Sequence, residues 1–174
     1  REKEELKKSI ERVKRELERL LEEHRKRSEE LKRRLEELLK DHKRRTDEVL
    51  KEAKDKNVPE DLLRDIKRRL DELNKRLAEI LKDWTDKSRK LNEDLERIIR
   101  KVAKELDKIL KDLEAGKDVD TLEEEIKDII RDVKRAVKES LEEDDRLAKE
   151  VEDMVRKSKE EVERLIEKVK RDTD

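Results

Sequence analysis

The stretch His24–Thr46 reads HRKRSEELKRRLEELLKDHKRRT, and it begins and ends with nearly the same five residues. The second histidine follows the first by eighteen residues, which is five turns of an α-helix. His24 and His42 therefore lie on one helix face, about 27 Å apart by helical rise. Both occupy positions that the surrounding pattern fills with leucine. The stretch predicts one long helix whose apolar face is interrupted by polar residues on a fixed period.

The apolar face of this first helix continues the same period in both directions. Its steps run 4-3-4-3-4 and start again after eighteen residues, so the repeat is not a heptad. A heptad imposes a left-handed supercoil, whereas a period of 3.6 residues matches a straight helix. We therefore expect long, nearly untwisted helices. The predicted inward positions are Leu6, Ile10, Val13, Leu17, Leu20, His24, Ser28, Leu31, Leu35, Leu38, His42, Thr46, Val49 and Ala53.

Two short segments separate three such helices, predicted at about residues 2–56, 59–114 and 121–171. Asn57 and Gly116 are residue types that tolerate the left-handed conformation past a helix C-terminus. Pro59 fits the first turn of the second helix, where its missing N–H is not needed. Asp120 and Glu123 form a capping-box-like start for the third helix. Because short turns force antiparallel neighbours, the sequence predicts an all-α fold: a single-chain antiparallel up-down-up three-helix bundle, one domain over residues 1–174.

The composition supports long helices and argues against several functional classes. Of the 174 residues, 60% are charged and 30% hydrophobic, with one aromatic residue and no cysteine. Glu, Lys and Arg are good helix formers, and with this periodicity they are typical of long helices rather than disorder. A net charge of −1 gives no field that favours nucleic acid or a membrane. We expect no disulfide, no membrane span and no targeting signal, which is compatible with cytoplasmic expression.

The charges are divided unevenly among the helices. Residues 1–56 carry 21 basic and 17 acidic side chains, a net charge of +4. Residues 118–174 carry 14 basic and 21 acidic side chains, a net charge of −7. The first and third helices are the parallel pair of the predicted bundle. Their opposite charges favour contact between them and disfavour pairing between copies.

Polar residues that interrupt the apolar faces fall at matching levels of the predicted hairpins. Asp144 of the third helix and Asn92 of the second are equidistant from Asp118, in the second turn. Three further pairs are equidistant from Val58, in the first turn, and a coincidence of three pairs supports the hairpin. These pairs are His24 with Asn92, Ser28 with Ser88, and His42 with Asn74.

These levels predict two buried polar layers. An unpaired buried polar group costs roughly 1–3 kcal/mol, so a slipped register that separates the partners is penalised. The layers would then specify register and topology at some expense in stability, as a buried Asn does in coiled coils. Trp84 is predicted to fill a wide apolar layer, with its N–H bonded to a partner such as Thr85. The central layer is predicted to contain His24, Ser28, Ser88, Asn92 and Asp144, with Ser140 about one turn away, and the second layer His42, Asn74 and Ser158, with Thr46 beside them.

Catalytic and metal-binding functions fit these residues less well. Ser28, His24 and Asp144 are the residue types of a Ser-His-Asp hydrolase, but a bundle with a fully bonded backbone offers no oxyanion hole. We therefore do not predict an enzyme. His24 and His42 are too far apart to share an ion, and one histidine with Asp144 makes a poor zinc site, so no metal or cofactor is expected. The basic clusters 25–27 and 43–45 have acidic neighbours and no stacking aromatics, which indicates solvated helix faces.

Taken together, the equal Glu/Lys/Arg-faced helices, the Pro and Gly turns, the 18-residue repeat and the regular polar layers resemble de novo designed three-helix bundles with buried hydrogen-bond networks. The resemblance covers the whole chain and rests on no catalytic motif. It implies a very stable monomeric structural scaffold with no natural biochemical activity, no required partner, and polar layers that specify register. Two alternatives stay open: a designed interaction module (a heterodimer half or a self-associating bundle) and a histidine-based pH-responsive bundle. A natural spectrin-like spacer would normally show heptads and more varied composition.

Overall fold

The computed structural model describes residues 1–173, and these residues form three long helices with no strand among them. The helices are α1 (Glu2–Asp55), α2 (Glu60–Glu114) and α3 (Val119–Thr173). Each helix packs against the other two. The predicted all-α three-helix bundle is therefore confirmed, and the helix ends fall within two residues of the predicted ones. In the part of the chain that the structure describes, no helix has an apolar segment long enough to cross a membrane.

Burial along α1 follows the 18-residue period of the sequence. All fourteen predicted inward positions are buried or partly buried, including both histidines. The residues between them are mostly exposed Glu, Lys and Arg. The apolar period, rather than local propensity, therefore determines which face of the helix enters the core.

α1 ends in a Schellman motif at Asn57, which has a φ of 56°. The N–H of Asn57 donates to the carbonyl of Lys54 at 3.1 Å, and the N–H of Val58 donates to the carbonyl of Ala53 at 3.3 Å. Val58 and Ala53 are both buried, which adds the apolar contact that usually accompanies this motif. The carbonyl of Pro59 then accepts the first bond of α2, from Leu63 at 2.9 Å. The helix thus starts one residue after the predicted position.

α2 ends in the same motif at Gly116, which has a φ of 90°. Its N–H donates to the carbonyl of Leu113 at 3.2 Å, and the N–H of Lys117 donates to the carbonyl of Asp112 at 3.0 Å. Here an ion pair replaces the apolar contact, because Lys117 Nζ lies 3.4 Å from Asp112 Oδ2.

The predicted capping box of Asp120 and Glu123 is wrong, because Asp120 already lies inside α3. The carbonyl of Asp118 accepts the first helical bond from Leu122 at 3.2 Å. Its carboxylate accepts a hydrogen bond from the Thr121 hydroxyl at 3.0 Å. Val119 packs against the apolar core, so the helix begins there, two residues before the predicted start.

The chain divides into two compact units, and each helix contributes one segment to each unit. Unit 1 comprises Arg1–Glu29 and Ser88–Asp145, and unit 2 comprises Glu30–Lys87 and the part of α3 from Arg146 onward. Each unit has its own apolar core, so the single domain proposed from the sequence stays a prediction. The core of unit 1 includes Leu6, Ile10, Leu17, Leu95, Ile99, Leu106, Leu113, Leu122, Ile126 and Val133, and that of unit 2 includes Val49, Ala53, Ile66, Leu70, Leu73, Val162, Ile166 and Val169.

Among the described residues, three exposed ion pairs join α1 to α3 at the same sequence separation. In each pair an arginine of α1 contacts an acidic residue of α3 that lies 118 positions later. The constant separation shows that the two helices run in the same direction. The pairs are Arg27 with Asp145 (2.8 Å), Arg34 with Glu152, and Arg45 with Glu163 (3.0 Å).

Candidate functional site

The first polar layer lies in unit 1 and is centred on His24, which is only 1% exposed. His24 Nδ1 lies 2.6 Å from Asn92 Oδ1, and His24 Nε2 lies 2.8 Å from Ser140 Oγ. Asn92 Nδ2 donates to Ser28 Oγ at 3.1 Å. Ser28 donates in turn to Asp144 Oδ2 at 2.9 Å. Five side chains from three helices therefore form one connected network.

The partners of Asn92 determine the direction of this network. Asn92 Nδ2 also donates to the backbone carbonyl of Ser88 at 3.0 Å, and a carbonyl only accepts. The amide oxygen of Asn92 therefore faces His24, and Nδ1 of His24 must carry the hydrogen. In the neutral ring Nε2 then has the lone pair, which accepts from the Ser140 hydroxyl. The donors run in one direction, from Ser140 through His24, Asn92 and Ser28 to Asp144.

The second polar layer lies in unit 2 and is centred on His42, also 1% exposed. His42 Nδ1 lies 2.9 Å from Asn74 Oδ1, and His42 Nε2 lies 2.6 Å from Ser158 Oγ. Asn74 Nδ2 donates to Thr46 Oγ1 at 2.9 Å, and the Thr46 hydroxyl donates to the carbonyl of Lys43 at 2.7 Å. Because the Thr46 hydrogen is already used, Thr46 can only accept from Asn74. His42 is therefore also the Nδ1–H tautomer.

The two layers have the same pattern of hydrogen bonds, at positions that differ by eighteen residues. They differ at the end of the chain of donors, where the first layer has Asp144 and the equivalent position of the second has the buried Val162. Thr46 donates to its own helix and needs no acceptor from α3, whereas Ser28 donates to Asp144. The equivalent residues are His24 and His42, Ser28 and Thr46, Asn92 and Asn74, and Ser140 and Ser158.

The structure brings the predicted residues together with two changes of pairing. Ser28 bonds to Asp144 and Asn92, and Ser88 enters the layer through its backbone carbonyl. Ser140, predicted about one turn away, bonds directly to His24. The missed signal is the separation between the parallel helices. The bonded pairs His24–Ser140, Ser28–Asp144 and His42–Ser158 are all 116 residues apart.

Asp144 is the least satisfied member of either layer. The side chain is 1% exposed, and its Oδ1 has no hydrogen-bond partner within residues 1–173. A buried polar atom without a partner costs about 1–3 kcal/mol, and more when the group is charged. The first layer is thus a less favourable version of the network than the second.

The predicted partner of Trp84 is wrong. The indole is 3% exposed, and its Nε1 finds no acceptor in the described chain. The Thr85 hydroxyl donates instead to the carbonyl of Leu81 at 2.9 Å. Adjacent residues of a helix do not face each other, so Thr85 bonds within its own helix rather than to the neighbouring side chain.

Burial changes the acid–base properties of the second layer. Desolvation lowers the pKa of His42 below its ordinary value of 6.5. The hydrogen bond that His42 donates to Asn74 partly opposes this shift, and the positive charge of Lys159 adds to it. The lowered pKa favours the neutral ring, which agrees with the tautomer that the hydrogen bonds require.

Ser28, His24 and Asp144 do not form a Ser-His-Asp triad in the first layer. Ser28 bonds to Asn92 and Asp144, while both ring nitrogens of His24 bond to other residues. The hydrogen bonds of the first layer therefore do not assemble a Ser-His-Asp site. Among the side chains that the structure describes, His, Asp and Glu form no group of three that could hold a metal ion. No protein-family model, curated protein or solved structure matches the chain.

Proposed function

We propose that the chain is a de novo designed structural scaffold without natural biochemical activity, whose buried polar layers specify the register and topology of its helices. One observation supports this proposal above the others. The same directed network of histidine, asparagine and two hydroxyl residues occurs twice, at positions related by eighteen residues. A repeat of this kind follows the geometry of a straight helix.

The geometry of each histidine explains how a layer acts on register. One ring nitrogen bonds to α2 and the other bonds to α3, at 2.6–2.9 Å. A slip of either helix by one turn moves its side chains by about 5.4 Å and breaks the bond. Each nitrogen left unpaired then costs about 1–3 kcal/mol. Leucine layers impose a smaller penalty, because apolar contacts are not directional.

The proposal includes a monomeric state in which both histidines find their hydrogen-bond partners within one chain. All four ring nitrogens of His24 and His42 have partners in the same chain. Among the described residues, the large apolar side chains that stand out as exposed are Ile98, at 39%, and Met154, at 40%. An interaction module would expose a larger continuous apolar patch.

The test removes the polar layers and keeps the helices. The variant carries His24→Leu, His42→Leu, Asn74→Leu, Asn92→Leu and Asp144→Val. The remaining hydroxyl residues can then donate to carbonyls of their own helices, as Thr46 does.

We expect this variant to be helical and at least as resistant to urea as the parent, but no longer unique. Light scattering should show more than one oligomeric state, and amide NMR spectra should show more than one peak per residue. Ile66→Leu, a volume-conserving change in an apolar layer, is the matched control and should keep a single state. A layer-free variant that stays monomeric with one set of peaks would overturn the proposal.

The pH-responsive alternative is supported by the lowered pKa of His42. A buried neutral histidine becomes unfavourable when it is protonated, so acid weakens the layer that contains it. This function would reuse the second layer without changing its structural role. The pH dependence of the unfolding free energy separates this function from a purely structural role of the layer.

A further inference from the structure

The second layer contains a serine, a base and a group that orients the base. The Ser158 hydroxyl lies 2.6 Å from His42 Nε2, and Asn74 holds the opposite ring nitrogen at 2.9 Å. Because Nδ1 carries the hydrogen, the lone pair of Nε2 faces the serine. A hydroxyl bonded to a base that is oriented by a third group is the arrangement of an activated nucleophile.

Ser158 also lines a cavity within unit 2. The cavity has a volume of about 150 Å³ and lies between α2 and α3. A benzene-sized ring occupies about this volume when it binds in an engineered apolar cavity, so a small aryl ring matches the pocket in size. The other lining residues are four apolar side chains (Leu73, Leu77, Ile80 and Met154) and three charged ones (Arg76, Lys157 and Glu161).

We propose that Ser158 is an acyl-acceptor site for small aryl esters, with His42 as the base. Ser158 Oγ forms a bond to the carbonyl carbon of the ester, and its proton passes to His42 Nε2. The bond between that carbon and the phenolic oxygen breaks. The phenolate leaves with the proton from His42, so the products are the serine ester and a neutral phenol. No oxidant, metal or further reactant is needed.

The same structure limits the reaction to about one acylation per chain. Ser158 lies inside α3, so its backbone N–H is engaged in the helix and does not provide an oxyanion hole. The cavity lining contains two cations, Arg76 and Lys157. Without preorganised N–H donors, hydrolysis of the acyl-serine is slow, and we expect a modified protein rather than turnover.

Ser9 provides an internal comparison. It lines a larger cavity of about 350 Å³ in unit 1, with apolar neighbours such as Val13 and Leu17. Both ring nitrogens of each histidine are bonded to other residues, so Ser9 has a cavity but no histidine base. Acylation that needs only access would modify Ser9, whereas acylation that needs a base would favour Ser158.

The experiment treats the full chain with p-nitrophenyl acetate at neutral pH and maps the acetyl groups by peptide mass spectrometry. Lysines also react with this reagent, but they form amides. Hydroxylamine removes serine esters and leaves lysine amides in place, so the ester fraction can be counted separately.

We expect one hydroxylamine-sensitive acetyl group per chain, on Ser158. Ser158→Ala should abolish it, and His42→Gln should slow its formation by about 100-fold or more, the effect typical of losing a general base. Ser9→Ala should leave it unchanged. The mapping of the parent protein decides the question even if a variant folds poorly. Only lysine amides, or a serine ester no more abundant at Ser158 than at Ser9, would overturn the proposal.

Discussion

Asp144 marks the difference between two otherwise equivalent networks. Its Oδ2 accepts from Ser28, and its Oδ1 has no partner in the described chain. In the second layer the chain of donors ends at the backbone carbonyl of Lys43, and Val162 occupies the place of the carboxylate. A buried acceptor atom without a partner costs about 1–3 kcal/mol, and an apolar residue at this place removes that cost. The residues of the second layer therefore indicate which substitutions would stabilise the first.

The double change Ser28→Thr with Asp144→Val should raise the free energy of unfolding by about 1–3 kcal/mol. The new threonine can donate to a carbonyl of its own helix, as Thr46 does, so no acceptor from α3 is needed. Urea unfolding measures the change. The reverse change in the second layer, Thr46→Ser with Val162→Asp, is the matched control and should destabilise the protein. Stabilisation by the control variant, or destabilisation by the double change in the first layer, would contradict the roles assigned to Asp144 and Val162.

His42 predicts a pH dependence with a definite sign. Its pKa is lowered in the folded state by burial, so the unfolded chain binds the proton more tightly. The contribution of neutral His42 to stability is complete above its unfolded pKa of about 6.5. It decreases as the pH falls from there towards the lower folded pKa, by at most about 1.4 kcal/mol per pH unit.

The measurement compares urea unfolding of the parent and His42→Gln between about pH 5 and 7.5, above the ordinary carboxylate range. The variant cannot titrate at this position, so the difference in unfolding free energy between the two proteins should shrink as the solution becomes more acidic. A difference that stays constant over this range would show that the ring does not resist protonation.

At this scale, the sequence predicted the structure where a residue type had one physical role. Asn57 and Gly116 were predicted to adopt the left-handed conformation, and both have positive φ. It failed where several hydroxyl or acidic residues competed for one role. Asp118 rather than Asp120 accepts the first helical hydrogen bond of α3, and Thr85 bonds to a carbonyl of its own helix rather than to Trp84. Such choices depend on side-chain directions that spacing alone does not determine.

At the scale of the helices, complementary charge reinforces the parallel pairing of α1 and α3. The sequence shows a net charge of +4 for residues 1–56 and −7 for residues 118–174. The structure converts this difference into arginine–carboxylate pairs at a separation of 118 residues. Each pair is exposed and contributes only about 0.2–1 kcal/mol. The pairs therefore select the neighbour more than they stabilise the fold.

Reversing the charge of three arginines should weaken this pairing without affecting the core. The variant Arg27→Glu, Arg34→Glu, Arg45→Glu should lose about 1–3 kcal/mol of unfolding free energy at low ionic strength, and less in 1 M salt. Adding Asp145→Lys, Glu152→Lys and Glu163→Lys restores opposite charges and should recover most of the loss. A variant equally stable at both salt concentrations, with no recovery, would show that these contacts are not energetically coupled.

The helix faces were predictable, whereas the pairing between helices was predictable only in part. The level of α1 and α2 follows from a short turn, and His24–Asn92 and His42–Asn74 are bonded as that level requires. The relation of α1 to α3 passes through two turns and accumulates their errors. The heights along the bundle that were predicted from both turns placed Ser140 one helical turn away from His24, although the two residues are in contact. Counting equal separations among polar residues would have corrected this.

At the scale of the whole chain, the polar layers are divided between the two compact units. Unit 1 contains the His24 network and unit 2 contains the His42 network. Each unit thus has one apolar core and one layer that connects segments of all three helices. The sequence predicts the three-helix fold and its polar positions because both depend on a single period. It does not show that the chain has two cores, since the apolar period continues through both units.

The most direct test of the two directed hydrogen-bond networks is a long-range ¹H–¹⁵N NMR spectrum of the two histidine side chains at neutral pH. The hydrogen bonds of Asn92 and Asn74 require both rings to be the Nδ1–H tautomer, with Nε2 accepting from serine. We expect that pattern for His24 and His42 together, in one folded species. Rings that are Nε2–H tautomers, or that average between tautomers as free histidine does, would show that the directed networks do not form and would contradict the proposed role of the layers.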